Sequence, residues 1–464
     1  MHNDHQALLD RLRDRHQVPG ASLGVLSLAD AESSDRIDSY ASGVLNVETG
    51  VPVRTDAVFQ IGSISKTFTA TMIMQLAEQS RLEPDQTVQS LLPWFRLPDP
   101  EAAATVTIRQ LLSHSSGIDG DVFTDYGRGD DAVTRYVAGL ADVGQLYRPG
   151  SMFSYCNAGF VVLGRVIEEL TGTTWDTALH DQLLGPLGLT SAGTLPEQAI
   201  LGNAAVGHSG GPGEPRQLIR RWQLPRSIGP AGLIHADITD LLRYARLHLR
   251  DGSVDGVELI TGGSVAAMRS RQIGTPPGIQ VDGWQGLGWQ VDHFDGHQVF
   301  GHNGATVGQY AYLLLVPDAG LAVGLLTNGP GAGLLWAELR QALLAEHGIA
   351  APFTVDAPPE QPHRLTGSVP AVGRFARTGE EYEVAATDSG LQVTVIPTDE
   401  SPDPDDEPET MPLVPVDDHH FVGRTDDRLG WTTFSYGTFT DDQNPAGGDY
   451  LYTGTRLTPR ARAD

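Results

Sequence analysis

The sequence predicts an α/β (α+β) fold: an antiparallel sheet flanked by helices, a helical region inserted into it, and a small C-terminal all-β barrel. Three observations predict it. Strand-like apolar segments lie near both ends of residues 1–350, and helical spacing dominates between them. Beyond residue 365, short extended segments alternate with turns. A chain of 464 residues is long enough for two domains with their own cores.

The strands of the main sheet are predicted from two distant stretches of the chain. Behind an amphipathic N-terminal helix, strands are expected at residues 21–26 and around Tyr40. Near the other end, residues 309–316 and 321–326 flank a Pro-Asp-Ala-Gly turn, which predicts a hairpin of buried strands. A helix is expected from about Trp336 to Ala345.

Apolar spacing marks two helices in the middle of the chain. Phe68 and Leu76 share one face of a segment that begins after Ser63, so this serine is expected at or just before a helix N-terminus. Lys66 then lies about one turn along. A second helix is expected to end at Gly172.

These features divide the chain into three regions. Residues 1–350 are expected to form the main domain, residues 351–365 a Pro-rich linker, and residues 366–464 the β-barrel. Extended segments such as Leu391–Val395 and Tyr450–Tyr452 predict strands of that barrel.

Composition excludes several classes of protein. The net charge of −27 repels nucleic acid and anionic membranes, so neither is expected as a partner. No apolar run reaches the roughly 18 residues of a membrane span. The N-terminal stretch lacks the apolar core of a secretory signal, so a cytoplasmic location is expected; a secreted protein with a trimmed N-terminus would look the same. A single cysteine, Cys156, excludes intrachain disulfides.

Lys66 is the only lysine among the 31 lysine and arginine residues of the sequence. It lies three residues after Ser63 in Ser-Ile-Ser-Lys. Arginine is effectively never deprotonated, whereas burial and neighbouring charge can turn a lysine into a neutral amine that accepts a proton. This indicates a lysine that activates a serine nucleophile. The alternative is a chance Ser-x-x-Lys in which the serine only caps a helix.

Two further segments carry candidate site residues. Tyr155 and Asn157 point the same way along an extended segment before a helix, where a phenol relays protons and an amide holds a carbonyl. Their alternative roles are a packed tyrosine and an Asx turn. His302 and Gly304, with Ala305, lie where glycine permits close approach to a ligand and a strand edge offers oxyanion donors; by itself this segment is a strand-end turn.

Other candidates are assigned structural roles. His293 and His297 do not share a helix face, so no metal and no cofactor are expected. Cys156 is expected to be a small buried hydrophobe, and His114 to brace a turn near the site. Trp289 is expected in the core. Tyr310 is left between core and pocket.

Together, these elements resemble the serine β-lactamase and penicillin-binding-protein-like superfamily, in particular its class C β-lactamase-like hydrolases with a β-lactamase/transpeptidase-like fold. The resemblance covers roughly residues 5–350. Supporting phrases lie in order at residues 59–62, 111–117, 185–189, 230–233 and 286–289. The C-terminal domain resembles the lipocalin-like barrels of some peptidase members.

The resemblance implies an acyl-enzyme on Ser63, with Lys66 and Tyr155 as the base system and Asn157 holding the substrate. The backbone N–H groups of Ser63 and Ala305 would form the oxyanion hole. The family's third motif is commonly Lys-Thr-Gly, whereas here it is His-Asn-Gly at residues 302–304. The lost lysine removes a permanent cation, so amide, peptide or ester hydrolysis is expected ahead of β-lactam hydrolysis.

The expected protein is therefore a serine hydrolase of the D-aminopeptidase, carboxypeptidase or esterase type, with a small-molecule or peptide substrate. An acyltransferase on the same fold, a β-lactamase and a noncatalytic binding protein remain alternatives. A homo-oligomer is left open.

Overall fold

The computed structural model describes residues 4–29, 34–211, 213–276, 280, 282–353, 358–365, 371–388, 390–398, 407–424, 431–444 and 447–461. The helices are α1 His5–Arg15, α2 Ser65–Glu78, α3 Val88–Leu91, α4 Pro100–Thr105, α5 Ile108–Leu112, α6 Ala132–Gly139, α7 Asn157–Thr171, α8 Trp175–Leu179, α9 Pro196–Ala199, α10 Gly229–Gly232, α11 Ile238–Leu249, α12 Gly262–Arg269 and α13 Ala332–Ala345.

The strands of the main domain are β1 Gly20–Ser27, β2 Arg36–Gly43, β3 Ala57–Gln60, β4 Asn203–Ala204, β5 His208–Ser209, β6 Gln217–Leu218, β7 His235–Ala236, β8 Ser253–Val254, β9 Val257–Glu258, β10 Ile273–Gly274, β11 Trp284–Gln285, β12 Gln290–Phe294, β13 His297–Ala305, β14 Tyr310–Val316 and β15 Leu321–Thr327. Those of the C-terminal sheet are β16 Gly373–Arg377, β17 Glu380–Thr387, β18 Gly390–Pro397, β19 Glu409–Pro415, β20 His420–Gly423, β21 Thr432–Thr438, β22 Asp449–Thr453 and β23 Arg456–Pro459.

The main sheet is antiparallel and brings the two ends of the main domain together. Its strand order is β10-β11-β12-β13-β14-β15-β1-β2, so β15 pairs with β1. Every residue of β15 is buried because helices cover both faces. α11 packs on one face, and α1 and α13 pack on the other. The predicted mixed fold is confirmed.

The predicted hairpin is confirmed, and its register places Tyr310 opposite Thr327. Gly320 closes the turn in the left-handed region, with φ at 57°. The helix that follows begins at Ala332, four residues before the predicted start at Trp336. Gly331, at φ 89°, turns the chain directly into the helix, so the extra turn forms ahead of the large apolar residues.

The helical region packs around α2, which is buried on every side from Ser65 to Leu76. The spacing of Phe68 and Leu76 predicts a single apolar face, so this complete burial is a difference from the sequence pattern. The hydroxyls on its other faces are satisfied locally: Thr67 donates to Ile64 O, and Thr71 donates to Thr67 O. A helix apolar on one side can thus be buried all round when its polar residues bond backbone carbonyls.

The C-terminal sheet runs from β16 to β23 in chain order, with every neighbouring pair antiparallel. Its ends meet, because Phe375 forms a bridge with Arg460 and Ala461 N donates to Arg374 O at 2.9 Å. The sheet is therefore a nearly closed eight-stranded barrel, as predicted. Of the predicted linker, residues 351–353 and 358–365 contain no helix or strand, and residues 354–357 lie outside the described residues.

The barrel docks on the segment that leads into α7. Leu457 N donates to Ser154 Oγ at 3.1 Å, and the Tyr452 hydroxyl donates to Phe153 O at 2.5 Å. A shared apolar cluster covers these bonds and consists of Leu146, Tyr147, Met152, Phe439, Tyr452 and Leu457. The barrel is thus held to the main domain by both hydrogen bonds and apolar packing.

Among the described residues, no helix is both long and apolar enough to span a membrane.

We expect Gly164→Ala to destabilise the protein, because a Cβ at this position of α7 would lie 2.1 Å from Cγ of Pro230, next to the rigid start of α10. Overpacking of this kind costs about 1–3 kcal/mol of unfolding free energy. Chemical denaturation measures the change.

Gly159→Ala on the same helix is the matched control. Its Cβ would meet Leu111 Cδ2 at 3.4 Å, an ordinary contact with a flexible side chain, so the free energy of unfolding should change by less than about 1 kcal/mol. Equal effects of the two substitutions would contradict the close packing of α7 on α10.

Candidate active site

The Ser63–Lys66 pair lies at the start of α2. A short 3-10 turn over Gly62–Ile64 precedes the helix, so Ser63 and Lys66 face the same side one turn apart. Lys66 Nζ is 3.0 Å from Ser63 Oγ, and it donates to Asn157 Oδ1 at 2.7 Å and to Ala231 O at 2.7 Å. The lysine side chain is fully buried.

This arrangement fits a neutral amine. Asn157 Oδ1 and Ala231 O accept only, so they take both N–H bonds of an –NH₂ group and leave its lone pair toward the Ser63 hydroxyl. Burial holds the pKa of Lys66 well below its usual value, and the nearby Arg456 cation lowers that pKa further. Asp121 opposes the shift. The amine can therefore accept the serine proton.

Tyr155 lies beside this pair with its side chain buried. Lys66 Nζ is 4.9 Å from the centroid of the Tyr155 ring. The His114 ring stacks on the same tyrosine, with 4.3 Å between the ring centroids. Burial raises the pKa of the phenol, although Ser63 is near enough to oppose the shift. Its hydroxyl has no hydrogen-bond partner of ordinary geometry among the described residues. At neutral pH, Tyr155 is a protonated phenol.

Asn157 is the first residue of α7, and Cys156 caps that helix by accepting from Gly159 N at 3.2 Å. The Asn157 Nδ2 group donates to Asp121 Oδ1 at 2.6 Å. Because a carboxylate only accepts, this bond fixes the amide so that its oxygen faces Lys66.

The third motif lies near the end of β13. A Cβ on Gly304 would be 1.9 Å from Ile61 O and 2.9 Å from Ser63 N, so only glycine lets β13 run this close to the serine. This closeness places the Ala305 backbone beside Ser63, where two N–H groups can converge on one oxygen. His302 is buried, and burial lowers its pKa to about 3, so it is uncharged at neutral pH.

A cavity of about 410 Å³ opens over these residues. Six of the predicted site residues line it: Ser63, Tyr155, Asn157, His302, Gly304 and Ala305. Lys66 lies beneath, in contact with Ser63. Apolar walls come from Phe123, Leu224 and Ile228. The structure therefore brings the predicted set together around one pocket.

The remaining candidates have settled positions. Tyr310 lines the pocket, and Trp289 is fully buried in the core. His114 accepts from Cys156 N at 3.0 Å through Nδ1, so it braces the segment below Tyr155. His293 bonds a backbone oxygen and His297 bonds Asp318, and the described residues contain no group of three potential metal ligands.

Sequence reasoning missed the residues that surround Asn157 and Lys66. Ala231 lies in a phrase that supported the resemblance, yet nothing in the sequence shows that its carbonyl accepts from Lys66. Asp121 follows shortly after the Leu-Leu-Ser-His-Ser-Ser-Gly phrase, a position that gives a weak signal. Thr455 and Arg456 reach the pocket from the barrel, and no local pattern marks them.

The chain matches the family model described as Beta-lactamase over residues 5–346. It is 43% identical over 383 residues to penicillin-binding protein 4 of Amycolatopsis lactamdurans, which covers 82% of this chain and 98% of that protein. The crystal structure of SurE superposes with a TM-score of 0.75 at 29% identity over 98% of both chains. A D-amino acid amidase of Ochrobactrum anthropi SV3, at 20% identity over 74% of this chain and 98% of its own, shares the fold with a TM-score of 0.61.

We expect Cys156 to resist thiol reagents in the native protein, because it is buried and burial raises its pKa to about 11. At mildly alkaline pH, labelling by a disulfide reagent should be slower by roughly 100-fold or more than in guanidinium, where the thiol regains an ordinary pKa. Spectrophotometric titration measures the rate. Cys156→Ser should show no labelling, and fast labelling of the folded chain would contradict a capping role for this residue.

Proposed function

Because this chain belongs to the Beta-lactamase family, we propose that it is a serine hydrolase that forms an acyl-enzyme on Ser63 and cleaves amide or ester bonds. Family membership supports serine hydrolase activity in general, and the residue roles below are part of the proposal. The observation that carries it is the buried Lys66 amine, whose two N–H bonds are occupied and whose free direction meets Ser63 Oγ at 3.0 Å.

Acylation begins when Lys66 takes the Ser63 proton and Oγ attacks the carbonyl carbon. The resulting oxyanion accepts from the N–H groups of Ser63 and Ala305. Tyr155, a neutral phenol at this stage, donates its proton to the leaving amine or alcohol and regains one from the Lys66 ammonium. The step ends with an ester on Ser63, a free leaving group and Lys66 neutral again.

Deacylation repeats the exchange with water as the nucleophile. Neutral Lys66 accepts a proton from the attacking water, and the Lys66 ammonium then returns that proton to Ser63 Oγ as the ester C–O bond breaks, so the acid product leaves with Ser63 and Lys66 both restored. Asn157 lines the pocket and positions the carbonyl group of the substrate. An acceptor amine or alcohol in place of water would give acyl transfer, so the two outcomes share every residue.

The side chain of His302 in the third motif is uncharged, which favours substrates without a carboxylate at this position. His302 is neutral at the pH of most cells, so it supplies no permanent cation for the carboxylate that flanks a β-lactam ring. This supports peptide, amide or ester substrates ahead of penicillins. The crystal structure of SurE with D-Leu, in which SurE is 28% identical to this chain, supports a substrate that contains a D-amino acid.

Intact-mass spectrometry tests the nucleophile and the acyl class together. The protein is incubated with D-peptide amides, D-peptide esters, aryl esters and penicillins, each with and without an acceptor amine. We expect a mass increase on Ser63 with the D-acyl compounds. The product should be hydrolysed without the acceptor amine and transferred to the amine when it is present. Ser63→Ala should trap nothing. The absence of any adduct or turnover in the native protein would sink the proposal.

Lys66→Arg should abolish acylation while the fold stays intact, because arginine keeps a cation in place but does not take a proton. Burst kinetics with p-nitrophenyl acetate measure the loss, which we expect to be at least about 100-fold for removal of a general base. Arg374→Gln, a change on the barrel surface, is the control and should retain the native burst. A native burst in Lys66→Arg would contradict the role of the amine.

The acylation rate should rise with pH along a single limb. Lys66 is active when neutral, so the rate is lost as pH falls through its depressed pKa and is fully present above it. The raised pKa of Tyr155 keeps the phenol protonated, so the rate should then stay level into the mildly alkaline range. A pH profile of kcat/KM measures this, and a fall between neutral and mildly alkaline pH would contradict these protonation states.

A further inference from the structure

A buried carboxylate joins the barrel to the candidate active site. Asp121 lies between two arginines of the C-terminal sheet: Arg377 Nη1 donates to its Oδ2 at 3.0 Å, and Arg456 donates through Nε and Nη2. Arg377 is the last residue of β16 and Arg456 is the first residue of β23. The two strands that close the barrel therefore each place one terminal residue at this carboxylate. The Arg377 side chain is only 7% exposed and that of Asp121 only 11%.

The carboxylate reaches Lys66 through one side chain. Asp121 Oδ1 accepts from Asn157 Nδ2 at 2.6 Å, and Asn157 Oδ1 accepts from Lys66 Nζ at 2.7 Å. Rotation of the amide by half a turn would place an NH₂ group against the lysine amine and lose both bonds. The charge on Asp121 therefore fixes the end of the amide that faces Lys66.

Hydrogen bonds made by the neighbouring residues hold the two arginines in register with Asp121. Asp119, two residues earlier, accepts from Thr378 N and Thr378 Oγ1, each at 2.8 Å, directly after Arg377. On the other strand, Tyr155 N donates to Thr455 O at 2.9 Å, directly before Arg456. The placement of each guanidinium is thus set by a neighbour that binds the main domain.

Arg456 has a second contact that Arg377 lacks. Its guanidinium carbon is 4.9 Å from the centroid of the Tyr155 ring, and it lines the pocket beside Ser63. Arg377 also pairs with Glu380, so two carboxylates compensate its charge, whereas Arg456 pairs with Asp121 and places its positive charge beside Tyr155 and close to Lys66. A neighbouring cation favours the neutral form of an amine.

On the basis of the proposed acyl-enzyme function, we propose that Arg377 and Arg456 are positioning residues of the active site, so that the barrel is a working part of it. Both hold Asp121, and through it Asn157, against Lys66. Arg456 in addition supplies the positive charge that keeps the Lys66 amine unprotonated and ready to accept the serine proton.

The charged and titratable groups around Lys66 come from several elements and are Tyr155, Cys156, His114, His302, Asp121 and Arg456. Arg377, Glu380 and Asp119 lie beyond Asp121 in the same cluster. Burial keeps His114 and His302 neutral, and it keeps Tyr155 and Cys156 protonated. Asp121 and Arg456 therefore carry the charge that acts on Lys66, whereas Glu380 and Asp121 together compensate Arg377. Removal of Arg456 leaves a less compensated Asp121, which favours the ammonium form.

The pH profile of acylation separates this role from a purely structural one. Burst rates with p-nitrophenyl acetate are measured against pH for the full chain and for Arg456→Met, Arg456→Lys and Arg377→Met. Arg374→Gln, on the same strand as Arg377 but paired with Glu381 at the surface, is the matched control. Thermal unfolding and near-ultraviolet circular dichroism check that each variant is folded.

We expect Arg456→Met to move the ascending limb to higher pH, by about one unit for a tenfold loss of rate on that limb. Arg456→Lys keeps the charge, so its limb should stay in place while the rate drops with the lost two-point contact. Arg377→Met should lower the rate and move the ascending limb by less than Arg456→Met does. Arg374→Gln should match the native protein.

An unmoved limb in folded Arg456→Met, or an equal displacement in Arg456→Lys, would overturn the inference and leave the proposed function standing. A native protein that shows no burst and no adduct on Ser63 would overturn both. The native adduct, absent in Ser63→Ala, is therefore recorded in the same series before the profiles are compared.

Discussion

The buried amine of Lys66 imposes the constraint that the other elements of the site satisfy. A full charge in this position would be strongly disfavoured by burial, whereas a neutral amine needs only acceptors for its two N–H bonds. Asn157 Oδ1 and Ala231 O meet that need. The start of α2, the start of α7 and α10 must therefore converge on one nitrogen, and the contact of Gly164 with Pro230 shows how closely two of them pack.

The same constraint extends to the barrel. Asn157 is oriented by Asp121, and a buried carboxylate is stable only with cations or hydrogen-bond donors around it. Burial tends to raise the pKa of Asp121, yet Arg456 and Arg377 hold it down at about 2. Both cations come from the C-terminal sheet, so removal of the barrel would leave an uncompensated charge one side chain away from Lys66.

Features governed by short spacing could be predicted from the sequence. Ser63 and Lys66 share a face because they are one helical turn apart, and the β14–β15 hairpin follows from two apolar runs around a turn. The predicted start of α13 at Trp336 was wrong, because Gly331 allows an earlier helical turn that apolar spacing does not mark. Arg456 lies 335 positions from Asp121, and no periodicity relates two residues at that separation.

The sequence by itself determined the reactive pair and the elements that carry it, because helix and strand periodicity fix which neighbours along the chain face the same way. The family followed from its ordered motifs. Tertiary structure decided the protonation of the groups and the partners of Asn157. Burial and charge depend on which distant segments pack together, and the arginines that complete the site come from the other end of the chain.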